Sequence, residues 1–225
     1  MERIAEVEIR KADKPVFCRV PDDVAVSAGE MCIIEVGQGH LEAGRILKFL
    51  DQKTLLRPPT AGKVVRTMSR EDILAVAENA HRKPEAVRIC REKIAELSLP
   101  LKLIDVEYSF DRSRIVVYYW AEGRVDFRRL VRELAGIFNC RIEMRQIGLR
   151  DEARMKGGCG ICGRTLCCAT FLRSFESITM RMVKNQKMPL DMNKITGLCG
   201  RLMCCISYED ASYREARDRE KAGKP

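Results

Sequence analysis

The sequence predicts an α+β protein in four stretches: a small β-rich sheet or barrel over 1–57, a central α+β layer with an antiparallel sheet over 58–150, a Cys-rich metal-binding region over 151–209, and a polar tail over 210–225. Three observations predict it. The first fifty residues alternate short apolar runs with turn-forming clusters, the middle of the chain changes from helical to strand periodicity and back, and seven of the eleven cysteines fall between Cys159 and Cys205.

In the first stretch, Ile4 to Arg10, Val16 to Val20, Met31 to Val36 and Gly44 to Phe49 read as strands. Pro21-Asp22-Asp23 and Gly37-Gln38-Gly39-His40 supply the turns between them. Pro58-Pro59 then breaks the chain. Ser69 with Asp72 forms a capping signal ahead of Ile73, Leu74, Val76 and Ala77, so a helix starts near Arg70. A second helix is expected from Pro84, because proline suits a first turn, with Val87, Cys90, Ile94 and Leu97 on one face. Pro100 closes it. The runs 101–110 and 115–121 flank the polar turn Asp111-Arg112-Ser113-Arg114 and read as a hairpin. Phe127, Leu130, Val131, Leu134 and Phe138 follow at helical spacing behind an Asp126 cap, and Arg141 to Ile147 alternates as a closing strand. The stretch after Glu209 is too polar to fold alone and reads as a frayed helix or a tail.

Composition narrows the function. The chain has 225 residues, a formal charge of +9 and 46% apolar residues, which excludes general disorder and favours polyanionic or acidic partners. No apolar run reaches membrane-span length, the N-terminus lacks a signal-peptide stretch, and a soluble cytoplasmic protein with reduced or metal-bound thiols is expected. From Arg124 to Lys187 fourteen Lys and Arg face six acids. Arg128, Arg129 and Arg132, on the polar side of their helix, are candidate contacts for RNA or a partner, with a solvated basic face as the alternative. Tyr108, Phe110, Tyr118, Tyr119 and Trp120 lie in the hairpin and are expected mainly in the core. With two histidines, no Gly-rich phosphate loop and no nucleophile–base arrangement, the sequence does not read as an enzyme.

The strongest motif is a near-repeat. Cys162-Gly-Arg-Thr-Leu-Cys167-Cys168 returns as Cys199-Gly-Arg-Leu-Met-Cys204-Cys205, and Cys159 adds a Cys-x-x-Cys to the first copy. An iron–sulfur cluster suits an all-thiolate set with glycine around it. Structural zinc also takes four cysteines but usually shows two Cys-x2-4-Cys knuckles. A redox dithiol would need Cys159 and Cys162 at the start of a helix after a strand. Spacing favours a metal site, with iron–sulfur, in the form of a 4Fe-4S cluster, ahead of zinc. Within each adjacent pair, Cys167/Cys168 and Cys204/Cys205, one thiol is expected to ligate. Arg164 and Arg201 hold equal places in the two copies, suited to hydrogen-bonding sulfur or a partner's carboxylate, or else to a structural salt bridge. Cys18, Cys32, Cys90 and Cys140 read as small core residues, and His40 and His81 as surface residues.

Several strings resemble one family: ENA at 78–80, LPLKLIDVEYSFD at 99–111, AEGRVDFRRLVREL at 121–134, RIEMRQIGLRDEARMKGG at 141–158, CGRTLCC, FLRSFE at 171–176 and ITGLCGRLMCCISYE at 195–209. From about Pro58 to Glu209 the chain resembles the RicT (YaaT) proteins, which carry a polymerase-suppressor (PSP) C-terminal domain. The resemblance implies a non-enzymatic bacterial regulatory subunit that joins the small helical proteins RicA and RicF and carries iron–sulfur clusters. It also implies a link to endoribonuclease Y and messenger-RNA maturation, and to sporulation, competence and biofilm decisions. Carried over by position, the family's cysteines are Cys162, Cys167, Cys168, Cys199, Cys204 and Cys205. Family members often have Ile-Gly-Pro-Cys where this chain has Cys159-Gly160-Ile161-Cys162, and the added Cys159 could let this chain complete a cluster without a partner's thiolate.

Overall fold

A computed structural model describes residues 3–10, 13–37, 39–50, 60–172 and 174–222. The chain forms two compact units, 1–147 and 148–225. Pro58-Pro59 and Gln38 lie outside the described residues, as does Arg173 of the basic stretch.

The first unit begins with a closed five-stranded barrel of β1 (Arg3–Glu8), β2 (Val16–Val20), β3 (Met31–Val36), β4 (His40–Phe49) and β5 (Gly62–Thr67), in the order β1-β2-β5-β3-β4 with β4 paired back to β1. Alternation places Ala5, Val7, Cys18, Val20, Cys32, Ile34, Ile46 and Val64 inside, all fully buried. His40 opens β4 opposite Val36 instead of ending a turn, because the positive φ of Gly37 and Gly39 tightens the connection. β5 is a strand that the sequence reading did not predict. It closes the barrel by pairing parallel to β2 and antiparallel to β3, and Gly62 permits the crossing, since a Cβ there would lie 2.2 Å from the Glu35 carbonyl oxygen.

A layer of helices and sheet follows: α1 (Arg70–Glu96), β6 (Lys102–Tyr108), β7 (Arg114–Trp120), α2 (Arg128–Phe138) and β8 (Arg141–Gln146). The Ser69–Asp72 capping box forms as expected. The two expected helices are one continuous helix with Pro84 inside it. Both halves are anchored to the same hairpin. Asn79 donates to the Ser109 carbonyl (3.2 Å) and accepts from Arg112 Nε (2.6 Å), while Ala86, Cys90 and Ile94 pack into the apolar core. Packing on both sides of the proline outweighs its missing N–H, and the deprived carbonyl belongs to Ala80, which is exposed. Ile73 and Leu74, which follow the cap, are exposed.

The face of the sheet carrying Val106, Ile115, Val117 and Ile142 meets α1 and α2, where Leu130 and Leu134 are fully buried at about 1.5–3 kcal/mol each. Asp126 accepts from the Arg128 N–H (3.1 Å), one residue ahead of the backbone cap at Phe127. β6 and β7 pair antiparallel, but β7 and β8 pair parallel, so the expected antiparallel sheet has one parallel edge. The reason is topological: α2 carries the chain back across the layer, and only such a crossover brings the next strand in parallel.

On the other face of this sheet, charged side chains tie the barrel to it. Glu42 of β4 accepts from Arg10 Nη2 and Arg114 Nη2, both at 2.7 Å, and Arg10 also meets Glu107 at 3.4 Å. Arg114 reaches Glu143 (3.2 Å), and Arg145 pairs with both Glu143 and Asp13. Tyr118 is fully buried and Tyr119 nearly so, in line with a core role for the hairpin aromatics.

The second unit holds α3 (Leu149–Lys156), a 3-10 turn (Cys167–Ala169), α4 (Met180–Asn185), α5 (Met192–Ile195) and α6 (Cys204–Ala222). Its core is small: Val183, Ile195 and Ile206 are buried, backed by Ile178, Met182, Met188, Leu202 and Met203. Buried Asp210 pins α6 by accepting from Asn185 Nδ2 (3.1 Å) and pairing with Arg214 (2.8 Å). α6 therefore starts inside the Cys-rich repeat and continues through the stretch read as a frayed helix or tail.

Candidate metal centre

The near-repeat folds into two matching knuckles. In the first, the Gly160 N–H donates to the Arg164 carbonyl (2.8 Å), the Gly163 N–H to the Gly160 carbonyl (2.9 Å), and the Leu166 N–H to the Gly158 carbonyl (3.1 Å). In the second, Gly197 donates to Arg201 (2.8 Å), Gly200 to Gly197 (2.9 Å) and Met203 to Ile195 (2.9 Å). Cys159 bridges Thr165 in one, and Thr196 bridges Leu202 in the other. Each knuckle turns at a glycine directly after a cysteine, Gly163 at φ 76° and Gly200 at φ 72°, a backbone state that L side chains avoid. The shared motif thus encodes a shared backbone.

The two knuckles face one cavity lined by Cys162, Cys167, Cys168, Cys199, Cys204 and Cys205. Each copy supplies the same three positions. Ile161, Leu166, Leu198, Leu202 and Met203 fill much of the remaining wall, so the thiols stand in largely apolar surroundings. Burial raises the pKa of Cys168, Cys204 and Cys205, and neighbouring thiols add to the effect; Cys204 is pushed up to about 11, first by burial and then by Cys167 and Cys168. Crowded thiols in an apolar wall resist losing several protons together, and a bound cation reverses that preference.

Among the described residues, no three His, Cys, Asp or Glu side chains stand as a ready metal cage. The donor set is nevertheless right in kind for a thiolate-held metal group: all sulfur, drawn from two chain segments, on backbone held by glycine turns. Cys159 does not line the cavity; it is exposed on its knuckle. Arg164 lines the cavity wall, whereas Arg201 is exposed and does not. Arg128, Arg129 and Arg132 lie on α2 of the first unit, where Arg128 pairs with Asp126 (2.6 Å) and Arg129 with Glu133 (3.0 Å). Those two pairings are the ordinary surface arrangement of charge on a helix.

One functional element escaped the sequence reading. Helix α3 brings Arg150 to the cavity wall, where Nη2 donates to the Leu202 carbonyl (3.3 Å) and the guanidinium lies 4.7 Å from the Phe175 ring centroid. Its signals were present: Asp151 and Glu152 in a first turn, Arg154 and Lys156 in a last turn, then Gly157.

Comparison with known proteins matches residues 62–147 to the PSP1 C-terminal conserved region and residues 177–220 to the third domain of PSP1-like proteins. The first match spans β5 to β8, the second α4 to α6 with the second knuckle, and the first knuckle lies between them. The chain is 43% identical over 221 residues to "Stage 0 sporulation protein YaaT" of Bacillus subtilis (strain 168), covering 97% of this chain and 79% of that protein. An uncharacterized protein of Schizosaccharomyces pombe is 30% identical over 82 residues, which is 36% of this chain and 11% of that protein. No solved structure matches.

Proposed function

The chain belongs to the YaaT family of PSP1-domain proteins, and on that premise we propose that it is a non-enzymatic regulatory subunit holding an iron–sulfur cluster in its six-thiol cavity. One observation carries the reading: two copies of one motif, remote in sequence, aim three cysteines each at the same cavity. Cys162 and Cys199 of the knuckles, with one thiol from each adjacent pair, would hold the cluster. When bound, such a cluster supplies a one-electron, oxygen-sensitive centre. The chain's own part is to hold the thiols at fixed backbone positions in a cavity whose wall includes the apolar side chains Leu166, Leu202 and Met203.

The regulatory role follows the family, one of whose members is named as a stage 0 sporulation protein. In this reading the subunit works in the cytoplasm, in an assembly with RicA- and RicF-like helical proteins, on endoribonuclease Y-dependent maturation of messenger RNA and on the cell-fate decisions downstream. No helix among the described residues is long and apolar enough to cross a membrane.

Anaerobic purification followed by iron, sulfide and zinc analysis and a visible absorption spectrum tests the cluster. Iron with matching sulfide and a broad visible band, lost in Cys162→Ser and in Cys199→Ser but kept in Cys159→Ser, is the expected result. Stoichiometric zinc in a colourless protein would replace the cluster by structural zinc and favour direct RNA binding, read as affinity that falls steeply with salt.

A further inference from the structure

Two arginines line the thiol cavity, Arg164 on the first knuckle and Arg150 on α3. The position of Arg150 is fixed by two unrelated contacts: the hydrogen bond to the Leu202 carbonyl on the second knuckle (3.3 Å) and the stack on Phe175 (4.7 Å to the centroid). Arg150 precedes the first copy of the repeat, yet its bond goes to the second, so one side chain fastens the second knuckle to the helix that leads into the first. It lines the same cavity as Cys168 and Cys204, one thiol from each copy. Phe175 covers one face of the guanidinium, so the charge is partly shielded from water on that face.

We infer that Arg150 is a positioning residue and built-in counter-ion of the metal centre, holding the second knuckle to the helix ahead of the first and stabilising the more negatively charged state of whatever thiolate–metal group the cavity binds. This rests on the metal reading above and extends it from ligands to the residue that sets the centre's charge balance. A fixed positive charge beside a cluster favours the reduced form, which carries one more negative charge than the oxidised form. Removing it shifts the reduced-to-oxidised ratio at a given potential on the order of tenfold, or ~59 mV toward lower potential for a one-electron couple. Arginine is required for the geometry as well as the charge, because an ammonium group reproduces neither the stack nor the directed fork.

The test is spectroelectrochemical titration of the anaerobically reconstituted full chain as wild type, Arg150→Gln and Arg150→Lys. The expected result is a midpoint lowered by about that amount in Arg150→Gln and recovered for the most part in Arg150→Lys. A midpoint unchanged in Arg150→Gln at equal cluster content overturns the inference, because a merely structural role would alter loading and leave the potential in place. If the wild type takes up no iron and sulfide, the cluster reading fails separately. Arg150 is then tested by Co2+ titration followed through thiolate-to-metal absorption, with affinity expected to fall several-fold in Arg150→Gln and less in Arg150→Lys. Equal Co2+ affinity in all three proteins, or no Co2+ binding by the wild type, overturns it.

Discussion

Gly163 and Gly200 allow the knuckle geometry to be tested by its own symmetry. Both sit at positive φ, 76° and 72°, and a Cβ built on either meets nothing within 4 Å. Alanine at these positions therefore causes no collision, and its whole cost is the backbone conformation. That cost is roughly 1–2 kcal/mol for an L residue held in the left-handed region. Restricting the unfolded chain returns about 0.4–1 kcal/mol, leaving a net loss of about 1 kcal/mol per site. For a chain of this size 1 kcal/mol moves the melting temperature by about 2–4 °C. Gly160 is the control, since its φ is ordinary and a Cβ there would make a contact of 3.4 Å with Cys162 Sγ. Thermal and urea denaturation of Gly163→Ala, Gly200→Ala and Gly160→Ala, under reducing conditions without metal, should show matched losses in the first two and a smaller loss in the third. If Gly163→Ala and Gly200→Ala are as stable as the wild type, or differ from each other by more than about 1 kcal/mol, the two knuckles do not share one backbone and the argument from the repeat collapses.

Two further predictions concern ionisation and access. Burial, the largest influence on Glu107, raises its pKa despite Lys83 and Arg10 nearby. A raised folded-state value gives stability that is complete below the unfolded value near 4.3 and is lost as pH rises through the folded value. Glu107→Gln should therefore melt higher than wild type at pH 7 and equal to it near pH 4, and a variant less stable at both pH values would contradict this. Cysteine alkylation read by mass spectrometry should label exposed Cys159 and Cys162 first. Cys18, Cys32 and Cys90, buried and pushed up to about 12, 11 and 12 mainly by burial, should resist until the protein unfolds. Early labelling of Cys90 would refute its place on the buried face of α1.

The barrel strands, the hairpin and α2 were legible because each carries its own period and its own turn residues. What escaped was non-local. β5 contains one buried residue, Val64, and becomes a strand because two partners across the barrel need it. Pro84 looks like a start in isolation and lies inside a helix because Asn79 and Cys90, on either side of it, are both held by the same hairpin. The parallel edge at β8 depends on where α2 returns the chain, which no strand period encodes. At the candidate site, the repeat was visible as a string of letters, but the convergence of its two copies was not. Arg150 was hidden for the same reason, since its partners Leu202 and Phe175 are distant in sequence.

Symmetry also separates the thiols that line the cavity from the one in the repeat that does not. Cys162 and Cys199, Cys167 and Cys204, and Cys168 and Cys205 are equivalent pairs, and all six line the cavity. Cys159 is equivalent to Thr196; neither lines the cavity, and both occupy the bridge position of their knuckle. Thr196 serves there as the end of α5, its N–H donating to the Met192 carbonyl (3.0 Å). The fold thus asks only for a residue able to hold extended backbone, which threonine does without sulfur. A thiol is present in both copies wherever the cavity receives it, and in one copy only where the cavity does not. That coincidence between repetition and placement is the reason to expect Cys159→Ser to leave metal content intact, against the suggestion from the Cys-x-x-Cys spacing alone that Cys159 completes the ligand set.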